Sequence, residues 1–380
     1  MRLITICLIA VLITFSAPRG RAASDCSPKD FNTELGEPFD QGDSGWCYAH
    51  SAAACISQVL HKRVSPGALA AAYISFDPKR LSEHTSAEVK KYLKEHPEVI
   101  ESFVRRPLDH YQWEKAFSPD YAKTAGVLDI GGDEDATIIL ANREGLCEYG
   151  KFPSSDDEYM KALRELEQFH SDKTCGTCDG TEGPDSYCSG DTEDIAPYRN
   201  RRDYCLHSEK HIKRTIHNWV KAKCGDHIRP KSSLIPIKVK VANDLDDYRA
   251  KLASGELKLE TSQIKLFAEI NRNLNRGRIS AVGYDYCDHG KVIPETGECA
   301  VVRLNEKSAS PRPAEDHSAL ITARKMIAGK CHYFLRNHLG QTCNFYHEPF
   351  NDPSYCDEKA GGLWLDPSDL KSLYSVISIR

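Results

Sequence analysis

Fifteen cysteines in a chain of 380 residues, opening with a short apolar leader, constrain this fold more than any other sequence feature. Arg2 is followed by a nearly unbroken apolar run from Leu3 to Phe15, then by small residues, and Gly20-Arg21-Ala22 fits a small-x-small cleavage site. The run is too short to span a bilayer, so residues 1–22 read as a signal peptide, with an uncleaved N-terminal anchor as the alternative. No later stretch is long and apolar enough to cross a membrane. Export implies an oxidising compartment, where cysteines pair. Cys7 leaves with the leader, and setting Cys47 aside for chemistry leaves an odd number. Cys55, inside the apolar stretch SAAACISQVL, is the expected buried free thiol, and up to six disulfides follow.

The remaining composition is that of an ordinary globular chain, 40% hydrophobic and 28% charged, with a net charge of -5. Lys and Arg are scattered and outnumbered, so the chain carries no nucleic-acid footprint. CYAHSAAACISQVLHKR has the composition of a buried helix, with Lys62 and Arg63 suited to its C-terminal end. Val64-Ser65-Pro66 marks a break and a second helix start. Residues 75–125 read as an irregular, mostly helical, solvated stretch. DEDATIILANREG predicts a helix with an acidic start and a glycine stop.

Residues 170–230 hold Cys175, Cys178, Cys188, Cys205 and Cys224 among Gly, Asp and Ser, and are expected to be cross-linked among themselves. Cys175-x-x-Cys178 with Cys188 and Cys205 is also compatible with zinc, although disulfides suit an exported chain better. QIKLFAEINRNLNRG reads as a helix leading into a strand, RISAVGYDY. Cys287 and Cys299 flank a turn-rich stretch and are placed to close it. SALITARKM and CHYFLRN read as two further strands, antiparallel neighbours. The acidic clusters at 156–158 and 191–194 read as solvated faces.

Cys47 opens a predicted helix, where the dipole and unbonded N–H groups favour a thiolate. The turn Asp43-Ser44-Gly45 before it lets the chain bend and present the sulfur. A nucleophilic thiol also needs a histidine partner and donors for an oxyanion.

QGDSGWCYAHS, from Gln41 to Ser51, resembles the active-site segment of the papain-like cysteine peptidases. Gln41, Gly42, Gly45, Cys47 and Tyr48 match it in register. Downstream, Asp316-His317-Ser318-Ala319 resembles the segment with the family's histidine. Tyr333 to Gly340 resembles the strand with its asparagine, matching at Asn337 and Gly340. Gly131-Gly132 before a helix is similar to the family's Gly-Gly segment.

The resemblance implies an α+β, papain-like two-lobed fold, a helical lobe and an antiparallel β-rich lobe with a cleft between. One domain would span 23–380, with insertions near 75–125 and 160–240. Cys47 would be the nucleophile, His317 the base and Asn337 the residue that orients it. The Gln41 amide and the Cys47 N–H would form the oxyanion hole, and Gly131 and Gly132 would bind substrate backbone. The implied protein is a secreted or periplasmic cysteine peptidase acting on peptides or proteins, without cofactor or metal, and with no nucleic-acid or membrane partner once the leader is removed.

Three positions depart from the family pattern. Leu339 stands where the family has a Trp that shields the Asn–His bond, and Ser44 where it has a cysteine. Cys47 and His317 lie 270 residues apart, against roughly 130–150 in the family. The short stretch between leader and Cys47 implies a chain active as secreted, or restrained by one of its own insertions.

Each candidate also has an ordinary structural role open to it: Cys47 half of a disulfide, His317 a structural histidine, Asn337 a turn residue. His50, one helical turn beyond Cys47, stands where the family packs an aromatic and reads as a satisfied polar group. The alternative from another class is an inactive, disulfide-rich binding protein on the same scaffold.

Overall fold

The computed structural model describes residues 26–41, 46–76, 80–81, 85–104, 132–152, 209–225, 227–288 and 316–380. The leader, Gly42, Gly45 and Gly131 lie outside them, as do Cys175, Cys178, Cys188, Cys205 and Cys299.

The helical lobe is organised by helix Cys47–Leu60, whose run from Tyr48 to Gln58 is buried on every side. Its alanines allow close approach of neighbours, and it ends at His61 in the left-handed conformation, φ 50°. The next helix, Pro66–Ser75, begins where the sequence places it. Ser65 caps it, its hydroxyl accepting from the Ala68 N–H at 3.1 Å, and Pro66 takes a first-turn position that needs no donor. Ala87–Glu95 is capped by Ser86 in the same way. Pro97–Val104 follows, and Glu134–Glu144 has Glu134 and Asp135 in its first turn and Gly145 at its end. Helix Glu209–Cys224 adds Ile216, Trp219, Val220 and Cys224 to this core.

The second lobe is an antiparallel sheet. Its strands are β1 (Lys29–Asp30), β2 (Pro236–Lys240), β3 (Ser280–Asp285), β4 (Asp316–Ile327), β5 (Lys330–Arg336), β6 (Cys356–Asp357), β7 (Gly362–Leu365) and β8 (Ser375–Ile379). They lie in the order β2-β8-β3-β4-β5-β7-β6, with β1 on β4. β3 is buried on both faces, and its period-2 alternation divides it between two cores. Ala281 joins the helical core, whereas Val282 and Tyr284 join Leu266, Ile270 and Leu274 of helix Leu259–Asn275 on the opposite face. The β4–β5 hairpin is the antiparallel pair expected from the sequence, with a register shift between Ile321 and Ala323. The architecture is thus the two-lobed α+β arrangement that the sequence implies.

The chain before Cys47 is tied to the sheet. Buried Arg336 donates from Nη2 to the Gly36 carbonyl at 2.6 Å and from Nη1 to that of Asn32 at 3.2 Å. Cys26 bonds Cys331 in the same region. Cys343 bonds Cys356, and Cys55 is a buried free thiol, as expected.

Cys224 departs from expectation. It pairs with Cys147, not within the 170–230 stretch, because helix Glu209–Cys224 returns to the helical core. Residues Leu146 and Ile228 exchange backbone hydrogen bonds beside it, at 2.9 and 2.8 Å. Disulfides of this kind belong to oxidising compartments. Among the described residues no helix is long and apolar enough to cross a membrane.

The Cys147–Cys224 bridge closes a loop across a sequence separation of 77. Non-reduced peptide mapping is expected to recover the two cysteines cross-linked. Replacing both with Ala is expected to lower stability in urea unfolding by about 4 kcal/mol, the loop-entropy contribution for that length.

Candidate active site

Cys47 is the first residue of its helix, a half-buried free thiol. The first turn of that helix has no acidic side chain and no side-chain cap, so its outward N–H groups face the sulfur end unneutralised. His317 is the second residue of β4, opposite Tyr284 in register. Asn337 follows β5 directly, its N–H donating to the Gly361 carbonyl at 3.0 Å. Cys47 and His317 come from different lobes and line one cavity of about 550 Å³.

The Asn337 side chain fixes the histidine. Its Oδ1 accepts from the His338 N–H at 2.8 Å and lies 2.8 Å from His317 Nε2. An oxygen already accepting a backbone N–H can only accept again, so Nε2 carries a proton and Nδ1 is the basic nitrogen of the neutral ring. The Asn337 Nδ2 sits 3.5 Å from the Tyr284 hydroxyl. Leu339 is buried, and Asn337 is 1% exposed. Aromatic cover comes from Tyr284 and Tyr286, both edge-on to His317 with centroids 5.7 and 5.3 Å away.

Gln41 is buried and held beside the asparagine strand. Its N–H donates to the His338 carbonyl at 2.8 Å, and the Gly340 N–H donates to the Phe39 carbonyl at 3.1 Å. Gly132 lies against the ring of Tyr48, where a Cβ would meet ring carbons at 2.7–2.9 Å. Only glycine lets the backbone pass there, at the edge of the cavity.

Burial pushes the Cys47 thiol up to about 12. Backbone N–H groups of Ser318 and Tyr48 oppose that shift, while the carboxylates of Glu134 and Asp316 add to it. A thiolate here therefore depends on a cation beside it, and an imidazolium at His317 is the cation the site offers.

Beneath the thiol runs a buried polar chain that sequence reasoning missed. His338 Nε2 lies 2.9 Å from Ser51 Oγ, which lies 2.8 Å from Ser318 Oγ. The Ser318 hydroxyl in turn bonds the Glu134 carboxylate. Adjacency to His317 and Asn337 was the one signal that pointed to Ser318 and His338. His338 is held well below the usual histidine range by burial, with His50, His317 and Arg336 nearby adding to the effect.

His50 corrects the reading from sequence. It is wholly buried, yet neither ring nitrogen has a hydrogen-bond partner among the described residues. Its ring packs edge-on against Phe39 at 5.5 Å and lies 5.4 Å from that of His338. The site uses it as an aromatic filler, and burial alone drives it down to about 3.

No family model matches the chain, and no curated protein matches it. Among solved structures, procathepsin L 3 of the Tenebrio molitor larval midgut aligns with 9% identity over 94% of this chain and 71% of that one, TM-score 0.38. A structure concerning antibody cross reactivity between the mite allergens Blo t 1 and Der p 1 aligns with 11% identity, 96% and 73% coverage and TM-score 0.35. SERA5E from Plasmodium falciparum aligns with 10% identity, 92% and 91% coverage and TM-score 0.34. Similarity at this level leaves the reading of the site to its own geometry.

The isolated histidine gives a testable pH signature. A histidine depressed to about 3 in the fold and near its usual value when unfolded contributes stability above about pH 6.5. That contribution falls by about 1.4 kcal/mol per pH unit as the pH drops toward 3. His50→Phe is expected to flatten that part of the acid stability slope. It is also expected to raise stability at pH 7 by about 1 kcal/mol, because it removes unsatisfied buried nitrogens. Urea midpoints measured across this pH range check both.

Proposed function

We propose that the chain is an exported cysteine peptidase that cleaves peptide bonds through an acyl-enzyme. The observation that carries this reading is the 2.8 Å contact between His317 Nε2 and Asn337 Oδ1. It leaves the basic nitrogen of the ring for a cavity that Cys47 also lines. An asparagine that fixes tautomer and ring orientation serves proton transfer.

In this mechanism the Cys47 thiol gives its proton to His317 Nδ1, and the thiolate adds to the substrate carbonyl carbon. The resulting oxyanion is met by the Gln41 side-chain amide and the Cys47 N–H, which, as the first of its helix, lacks an intrahelical acceptor. The C–N bond breaks as His317 returns the proton to the leaving amine, leaving a thioester on Cys47. Water, deprotonated by His317, then adds to the thioester, and the carboxylate product leaves as the thiolate re-forms. Gly132, whose missing Cβ admits the Tyr48 ring, brings backbone to the cavity wall, where an extended substrate would pair with it.

A second reading, a non-catalytic binding protein on the same scaffold, is favoured by one observation. Burial, Glu134 and Asp316 all hold the Cys47 thiol toward its neutral form. The two readings differ in reactivity at acidic pH. An ion pair with His317 is expected to let iodoacetamide alkylate Cys47 at about pH 6, and His317→Ala is expected to move that reactivity to alkaline pH. Alkylation that begins only above about pH 9 in both proteins would support the binding protein.

Substitutions then separate the roles. Cys47→Ala is expected to abolish turnover and labelling by a peptidyl vinyl sulfone. Gln41→Ala is expected to keep iodoacetamide reactivity while turnover falls about 10²- to 10³-fold, since alkylation develops no oxyanion. Loss of alkylation together with turnover in folded Gln41→Ala would assign Gln41 to the thiolate instead.

A further inference from the structure

The cavity beside Cys47 is lined by more negative than positive side chains, and its two lysines are already committed. Lys238 Nζ pairs with Asp135 at 3.0 Å, and Lys240 Nζ with Glu98 at 3.5 Å. Glu134, Asp244 and Asp316 line the same cavity and form no ion pair among the described residues.

Glu134 is the most constrained of the three. It is 8% exposed, and Ser318, its own backbone N–H and Lys238 favour its charged form. A carboxylate buried to this extent without a direct ion pair is unfavourable unless it takes a proton or gains a positive partner, and Lys238, already paired with Asp135, offsets the burial only in part. The Glu134 carboxyl is pushed up to about 7, by burial first and Asp133 second. Asp316 opens onto the cavity from the residue before His317, bonds the Tyr374 hydroxyl, and is pushed up to about 6, mainly by desolvation. Two carboxyl groups that form no direct ion pair among the described residues thus face one cavity that also holds the thiol and the histidine.

We propose that this cavity receives a cationic side chain of the peptide substrate, arginine above lysine, with Glu134 as its main counter-ion and Asp316 and Asp244 in support. The proposal rests on the peptidase reading for what brings the side chain there. Arginine is preferred because its planar fork matches a carboxylate with two parallel bonds, whereas an ammonium offers a point charge. The opposite assignment, an acidic or purely apolar side chain, would leave the Glu134 carboxylate buried beside a like charge or with no charge at all.

Peptide pairs that differ only in arginine or citrulline test this directly, because citrulline keeps the shape and removes the charge. Arginine or citrulline is placed in turn at the first, second and third positions of a tetrapeptide amide. Binding is measured to the full chain carrying Cys47→Ala, which cannot consume the peptide.

At about pH 8 one position is expected to favour arginine by about tenfold or more, the range for a hydrogen-bonded charge. Glu134→Gln in the same background is expected to remove most of that preference. The preference is also expected to weaken as the pH falls through about 7 and Glu134 takes a proton. The groups that face Glu134 during that titration are Asp133 and Asp135 on its own segment, Lys238 on β2, Asp316 and His317 on β4, Tyr374 and residue 47. Binding of every pair within about twofold, or of none, overturns the inference, as does a preference that Glu134→Gln and Asp316→Asn both leave intact. Vinyl-sulfone labelling of unsubstituted Cys47 reports separately on the peptidase reading. Labelling without an arginine preference sinks the cation site alone, and an arginine preference without labelling sinks the peptidase alone.

Discussion

Cys47 and His317 belong to different lobes, so any joint chemistry depends on how helix Cys47–Leu60 is seated against the sheet. Apolar packing alone would let a helix slide on a sheet, because alanine surfaces are smooth. Polar pins prevent it at both ends. Near the C-terminal end, the Ile279 N–H donates to Gln58 Oε1 at 2.9 Å. One turn past the thiol, the Ser51 hydroxyl meets Ser318 and His338 at 2.8 and 2.9 Å. Ser318 follows His317 and His338 follows Asn337, so a single serine sets the helix against both strands of the candidate triad. A buried polar contact of this kind specifies register more than it adds stability, since each group would otherwise be hydrogen-bonded to water.

The neutrality of His338 fits that role. Burial and its cationic surroundings keep it uncharged, so it holds Ser51 without adding a positive charge that would compete with His317. His50, packed against it with no partner for either nitrogen among the described residues, shows that the same helix tolerates an unsatisfied group where ring packing is what matters. Nothing in the sequence distinguishes these two histidines. Their roles follow from which strand lies one layer away.

That difference marks the limit of what the sequence shows. The Cys47 helix, the Ser65-Pro66 start, the Gly145 stop and the β4–β5 hairpin are local features, written in caps, propensity and alternation, and they were legible. Order along the chain and motif register pointed to His317 and Asn337, whose side chains the fold brings to 2.8 Å. The Cys147–Cys224 pairing was not legible, because it depends on where helix Glu209–Cys224 returns after a long excursion. Tyr284 covers the histidine only through strand register, and β8 enters the sheet between β2 and β3 from the far end of the chain. Glu134 read only as part of the acidic start of a helix. Its burial against Ser318 is set by the distance between two lobes, which no local pattern encodes.

The same distance links the charge of the cavity to the thiol. Glu134 and Asp316 both hold the Cys47 proton in place, so an empty cavity disfavours the thiolate. A guanidinium between those carboxylates would cancel most of their field at the sulfur, since opposite charges a few ångströms apart screen one another at longer range. It would also draw Glu134 fully to its carboxylate. On the proposed peptidase reading, occupancy by a cationic side chain would then ease ionisation of the thiol that would attack the same substrate. Recognition and activation would share one set of carboxylates, and a neutral substrate of equal shape would lose reactivity as well as affinity. The physical basis would be that the two carboxyl groups, which oppose a charge on sulfur, would also attract a cation on the substrate.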